Sequence, residues 1–330
     1  LFLAGKSLPA MLAHTAVDIH PPLYYALLHF WTRLFGTSEF AAGFFSLACG
    51  VLLIPLTYAL GRRVAGRTAG LLATFFVAFS PYGIWYSQEL RMYTLGACLG
   101  LLAALGLWEA LKGTGPAWRG WLAYALAAAA GLYTLYYFAF LLIALNVWAL
   151  TMLRGRRWIG WAAAQAGALL LYAPWLPTFI RQATDPPVPP WRSPVPLGRL
   201  LSESWTALSF GHSVEAGQVW PLLLITLALA LLGLWRLLRE DGRNALLVAG
   251  YFVLPIALIA GISLVTPLYH ARYLFTYAPA AAILLGAGLG WVWARRRWLA
   301  IALALLWLIG AGFSLDRYFA APQVADDDQR

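Results

Sequence analysis

Charge is scarce in this sequence. Asp, Glu, Lys and Arg together make up 11% of its 330 residues. Cysteine is scarcer still: Cys49 and Cys98 are the only two, each inside an apolar run. Such a pair offers neither a disulfide framework nor a zinc ligand set, and reads as two small hydrophobes. No Gly-rich nucleotide loop, zinc motif or Ser-His-Asp spacing is present. Strictly alternating segments of about ten residues, the mark of a membrane β-barrel, are missing as well. No signal peptide is visible. The first residue is Leu rather than Met and the opening is only mildly apolar, so the expectation is a fragment that starts inside a longer protein and stops short of its end.

What is present is apolar. The chain is 62% hydrophobic, with 17 Trp, 16 Tyr and 17 Phe, and its mean hydropathy is +0.72. Apolar stretches of about 20 residues, the length that crosses a bilayer as a helix, recur from end to end. The expected fold is therefore all-α, a polytopic membrane helical bundle. Ten spans are read, at about 40–61, 69–86, 92–111, 119–138, 139–153, 158–177, 219–238, 245–265, 273–292 and 298–315.

Short basic loops separate them at 61–67, 112–120, 154–158, 235–244 and 294–298, and hold 14 of the 23 Lys and Arg. Their acidic company is Glu109, Glu240 and Asp241. By the positive-inside rule these loops face the cytoplasm. The formal charge of +10 is then a topology signal that meets anionic lipid headgroups, and nucleic acid is not an expected partner. Residues 121–153 have basic residues at both ends, so they must cross and return, with 132–138 as the outer turn.

This topology divides the chain into a first outer loop (1–39), a six-span part (40–177), an outer loop (178–218), a four-span part (219–315) and an outer tail (316–330). All five histidines, at 14, 20, 29, 212 and 270, fall on the outer side. Residues 20–36 read as an interfacial helix, with His29, Thr32 and Arg33 on its polar side. Thr37 or Ser38 caps the next helix. The loop 178–218 opens Pro-rich and irregular, then forms a short amphipathic helix over LGRLLSESWTALSF.

Three polar clusters stand out at the outer rim. Asp18-Ile19-His20 precedes Pro21 and Pro22. It is either an acid placed favourably at a helix N-terminus or a carboxylate–imidazole pair with work to do. Glu89 and Arg91, flanked by Tyr86 and Tyr93, lie in a tight turn between two spans. They read equally as an interfacial ion pair in a Tyr belt or as a base with a phosphate clamp. Tyr269-His270-Ala271-Arg272-Tyr273 enters a late span, and Arg272 is either a second phosphate contact or a snorkelling arginine. All three suit an anionic headgroup whose tail stays in lipid. The outer face of a bacterial membrane holds no ATP or sugar nucleotide, so an enzyme there needs an activated donor that arrives through the membrane.

The run HPPLYYALLHFWTRLFGTSEFAAGFFSLACG, followed by LGRRVAGRTAGLLATFFVAFSPYGIWYSQELRMYTL and HARYLFTYAPA, resembles the GT-C glycosyltransferases related to protein O-mannosyltransferases and to the lipid A aminoarabinose transferase. The resemblance is strongest across 18–95 and local at 270–280. It implies a sugar donor linked to a polyprenyl phosphate and a protein, lipid or glycan acceptor. It also implies an inverting transfer at the outer face of a bacterial cytoplasmic membrane.

On this resemblance Asp18 and Glu89 are the candidate catalytic carboxylates, and His20, Arg91 and Arg272 hold the donor phosphate. Tyr93, His270 and Tyr273 line the substrate. Relatives place an acid, often Asp-Glu, just after their first membrane helix, so the main catalytic acid is expected upstream of Leu1. Aminoarabinose-type relatives often have Lys where His20 stands before Pro21. No cofactor is indicated, and a divalent metal is left open because no ligand cluster is evident. The competing expectations are a transport or lipid-handling protein, which would need polar groups at mid-membrane depth and repeated halves, and a non-catalytic scaffold.

Overall fold

The computed structural model describes residues 2–185 and 195–320. Fifteen α-helices run through them. They are α1 (Leu8–Val17), α2 (Leu23–Phe35), α3 (Glu39–Ala65), α4 (Arg67–Ala78), α5 (Pro81–Gln88), α6 (Tyr93–Lys112), α7 (Ala117–Leu132), α8 (Phe138–Leu150), α9 (Arg157–Tyr172), α10 (Leu176–Thr184), α11 (Leu197–Phe210), α12 (Ala216–Glu240), α13 (Gly242–Ser263), α14 (Ala278–Arg295) and α15 (Arg297–Ala320). A 3₁₀ turn over Ala271–Tyr277 leads into α14.

A helix occupies each place where a span was expected, but the lengths differ. Six segments are long and apolar enough to cross a membrane: α3, α6, α12, α13, α15 and the 271–295 unit. The expected span 69–86 is two helices, α4 and α5, bent by 54°. Pro81 opens α5 and cannot donate to the preceding turn, while Ser80 Oγ caps the new helix by accepting from Gly83 N at 3.1 Å. The helices α7, α8 and α9 are shorter, at 16, 13 and 16 residues.

The centre of the bundle is α14, which packs between α4 and α12. Most of its residues are buried, and 89% of the apolar window of its span is covered by protein, against 28% for α3 and for α15. Small side chains allow this. A Cβ on Gly233 would collide with the Leu284 carbonyl, and one on Gly288 with the Leu229 carbonyl, so α12 and α14 touch backbone to backbone. The lipid-facing helices instead expose large apolar side chains, such as Val51 and Leu52 on α3 and Ile309 on α15.

Ser38 is the α3 cap, accepting from Ala41 N. The helix expected at the interface is α2, but two of its three polar-side residues face inward, and only Arg33 is exposed. His29 and Thr32 are buried, and the His29 ring hydrogen-bonds the Ala4 carbonyl at 2.7 Å. Leu27, Phe30, Arg33, Leu34 and Phe35 are its exposed residues. Residues 178–184 are helical as part of α10, where an irregular run was expected. The proline-rich stretch 186–194 and the terminal DDDQR lie outside the described residues.

Candidate active site

The short α1–α2 connection carries Asp18 and His20. His20 Nδ1 lies 3.2 Å from Asp18 Oδ2. Burial alone pushes the Asp18 carboxyl up, but the His20 hydrogen bond and charge outweigh it and hold the carboxyl below its ordinary value. Asp18 is therefore ionised at neutral pH. The loop is clamped from α10, since Gln182 Nε2 donates to the carbonyls of Thr15 at 3.0 Å and Ala16 at 3.2 Å. It also donates to the Asp18 carbonyl. Tyr136 in turn donates to Gln182 Oε1, and Trp175 Nε1 donates to Tyr136. Sequence reasoning had no view of this clamp, because its members lie far apart in the chain.

The α5–α6 corner carries Glu89 and Arg91, both half-buried. Trp85 Nε1 donates to Glu89 Oε1 at 2.5 Å, which fixes the carboxylate one helical turn from its anchor. Ser46 Oγ reaches the Arg91 carbonyl at 3.5 Å and pairs with Tyr24 at 2.8 Å. Tyr25 joins the first two clusters, within electrostatic reach of both Asp18 and Arg91. The His20 ring is 6.5 Å from it.

Arg272 lies in the 3₁₀ turn, which His270 opens by accepting the Arg272 backbone N–H on Nδ1 at 3.2 Å. The Arg272 guanidinium sits 5.3 Å from the Tyr273 ring, and its Nη2 reaches the Tyr273 hydroxyl at 3.5 Å. Tyr273 stacks on Tyr137 with ring centres 4.1 Å apart and lies 6.4 Å from Tyr93. Tyr86 packs on Tyr93 at 4.8 Å and feels the charges of both Glu89 and Arg272. Arg272 is thus half-enclosed by aromatic rings. Among the described residues it has no carboxylate partner, and its buried Nε has no hydrogen-bond acceptor.

All eight candidate residues fall at one end of the bundle, opposite the basic loops. Glu89, Tyr93, Arg272 and Tyr273 gather around Tyr86, and Asp18 and His20 approach Arg91 through Tyr25. His270 turns the other way, into a neighbouring cavity. One residue was missed. His212 hydrogen-bonds Tyr86 through Nε2 at 3.0 Å and packs on Tyr82 at 5.0 Å. Burial, with the Arg272 charge behind it, pushes its imidazole down to about 4. Its position among the outer-side histidines was the available signal.

Two cavities flank this centre. A groove of about 180 Å³ is lined by apolar residues of α3, α4, α14 and α15, including Leu53, Phe76, Leu285 and Trp307, and reaches Ser87 and Gln88. A polar vestibule of about 730 Å³ is bounded by Arg199, Glu203, His212, Glu215 and His270. Among the described residues no group of three or more His, Cys, Asp or Glu converges to hold a metal ion.

The bundle has the GT-C glycosyltransferase fold. Residues 19–180 match the family described as dolichyl-phosphate-mannose-protein mannosyltransferase. ArnT from Cupriavidus metallidurans bound to undecaprenyl phosphate superposes with a TM-score of 0.60 at 19% identity, over 87% of this chain and 52% of that one. Its apo form gives 0.59 at 17%, over 82% and 49%. The archaeal oligosaccharyltransferase AglB from Archaeoglobus fulgidus, in complex with an inhibitory peptide and a dolichol-phosphate, gives 0.53 at 15%, over 92% and 47%. The chain thus spans about half the length of these proteins. No curated protein sequence matches it.

Proposed function

We propose that this protein transfers a sugar from a polyprenyl-phosphate donor to an acceptor hydroxyl or phosphate, on the side of the membrane opposite its basic loops. The observation that carries this reading is Arg272, a half-buried guanidinium with an unsatisfied Nε inside a tyrosine-lined recess. A buried cationic donor without an acceptor costs free energy unless a ligand anion completes it. A phosphate diester does so with forked, charge-assisted hydrogen bonds.

In this reading the donor's polyprenyl chain lies in the apolar groove against Phe76 and Trp307, with its phosphate at Arg272 and Arg91. The acceptor enters through the polar vestibule. Its oxygen attacks the anomeric carbon from the face opposite the phosphate, the new C–O bond forms, and the bond to the phosphate oxygen breaks. The electron pair leaves on the phosphate, where Arg272 and Arg91 stabilise it. The acceptor proton goes to a carboxylate, and Asp18 and Glu89 are the two that this chain brings to the site. A single displacement inverts the anomeric centre. The positive-inside rule puts the basic loops in the cytoplasm of a bacterium and the reaction on the outer side of its cytoplasmic membrane. The chemistry common to a protein, lipid or glycan acceptor is a nucleophilic oxygen.

The experiment is transfer from a radiolabelled polyprenyl-phosphate sugar in proteoliposomes, comparing wild type with Arg272→Gln. Loss of turnover with folding intact supports the reading, and wild-type turnover by the variant refutes it.

A further inference from the structure

At the opposite end, beyond their Gly233–Gly288 contact, α12 and α14 meet through Trp235 and Trp291. A cleft of about 390 Å³ opens there, bounded by Trp235, Arg236, Arg239, Glu240, Trp291 and Arg295. Its floor is two indoles in edge-to-face contact, with Trp235 and Trp291 5.8 Å apart at 82°. An arginine lies over each. Arg295 sits 3.5 Å above Trp291, and Arg239 5.8 Å from Trp235.

The three arginines of the cleft are not alike. Arg236 is structural: it pairs with Glu240 at 2.8 Å and donates to the carbonyls of Ala65 and Ala287. It ties three helices together and its charge is matched. Arg239 and Arg295 are exposed, and among the described residues neither pairs with a carboxylate. Arg295 donates once, to the Trp291 carbonyl at 3.2 Å. Cation–π contact orients each planar guanidinium and leaves its N–H edge available. The cleft therefore presents two oriented cations beside an aromatic floor, at the depth where indole rings meet lipid headgroups.

We infer that this cleft is a binding site for one anionic phospholipid of the leaflet on the basic-loop side. Arg239 and Arg295 take the phosphate oxygens, and Trp235 and Trp291 pack against the glycerol and the first acyl carbons. Two uncompensated arginines favour a headgroup of net negative charge over a zwitterionic one. The lipid rests across the Trp235–Trp291 contact and reinforces the meeting of α12 and α14 there. This site is separate from the sugar-transfer site, and its test does not depend on turnover.

The test measures thermal unfolding of the purified protein in detergent after adding phosphatidylglycerol, phosphatidylcholine or inorganic phosphate. Native mass spectrometry counts retained lipids in parallel. The expected result is a rise in Tm with phosphatidylglycerol alone and one retained lipid. Both should be reduced at least fivefold in apparent affinity by Arg239→Gln with Arg295→Gln. Exposed arginines are poor candidates for a folding defect, and the Tm of the variant without lipid checks this. Equal retention of phosphatidylglycerol by the double variant overturns the inference. Equal stabilisation by phosphatidylcholine overturns the charge argument, and equal stabilisation by phosphate alone shows a free-anion site rather than a lipid site.

Discussion

At the end of the bundle that carries the basic loops, buried and half-buried charges meet partners on other helices. Arg63 reaches Glu109 at 2.6 Å, and Lys112 reaches Asp241 at 2.6 Å and Asn244 at 2.8 Å. Asn244 in turn donates to the Val64 carbonyl. At the other end Arg272 is likewise half-buried, yet its Nε is left without an acceptor among the described residues. The two ends are built from the same residue types on the same helices. Among the described residues the basic-loop end leaves a neutral group unpartnered, Trp108 Nε1, whereas the opposite end leaves a guanidinium N–H. A buried charged donor without an acceptor is the costlier of the two.

The sharpest way to break this comparison is to neutralise one charge at each end. Asp18→Asn is expected to lower turnover by about 10²- to 10⁴-fold, the usual contribution of a positioned proton acceptor. Arg272→Gln is expected to lower it by about 10²- to 10³-fold, as for loss of one charge-stabilising donor. Arg236→Gln at the other end should leave turnover within about twofold and lower Tm instead, because it unties Ala65 and Ala287. Initial rates and melting curves on the three proteins decide it. A slow Arg236 variant or a fast Arg272 variant would erase the distinction between the ends.

A second contrast is pH. His212 has its imidazole pushed down to about 4 in the folded protein, against about 6.5 when unfolded. The unfolded chain therefore binds the extra proton first as pH falls. Stability is fully present above about 6.5 and is lost progressively toward 4, by about 3 kcal/mol from this residue. His212→Gln should flatten that acid limb in Tm measured from pH 7 to 4.5, and an unchanged limb would reject the assignment. The smallest expected effect is at the paired end. A double-mutant cycle with Lys112→Met and Asp241→Asn should give a coupling of about 0.5–1 kcal/mol, since both side chains are partly exposed and screened.

Much of the bundle was legible because lipid imposes a length on apolar runs and an alternation on basic loops. The Ser38 cap and α11 were legible for local reasons, a hydroxyl ahead of a helix and a 3.6-residue pattern. What failed was long-range. The break at Pro81 hides inside a continuous apolar run. The inward turn of His29 depends on the Ala4 carbonyl, 25 residues away. The helix α10 was masked by the prolines that follow it. Three polar clusters were visible as sequence, but their shared tyrosine surround was not, because Tyr137 and Tyr273 meet only in the fold. The Tyr86–His212 bond spans 126 positions, and nothing near either residue announces it.

The central helix also differs from its peers in a readable way. Its span has a mean hydropathy of 1.5, the lowest of the six, against 2.4 for α13. Its small residues make it a weak partner for lipid and a good one for other helices. A ribosome delivers the chain from its N-terminus, so α3, α4 and α12 enter the membrane before α14 exists. They must wait with a vacant slot between them. The segment that fills this slot carries Arg272 at its entrance. Closing the core and placing Arg272 are therefore one event in biosynthesis. A chain that stalls before it has Asp18 and Glu89 but not Arg272.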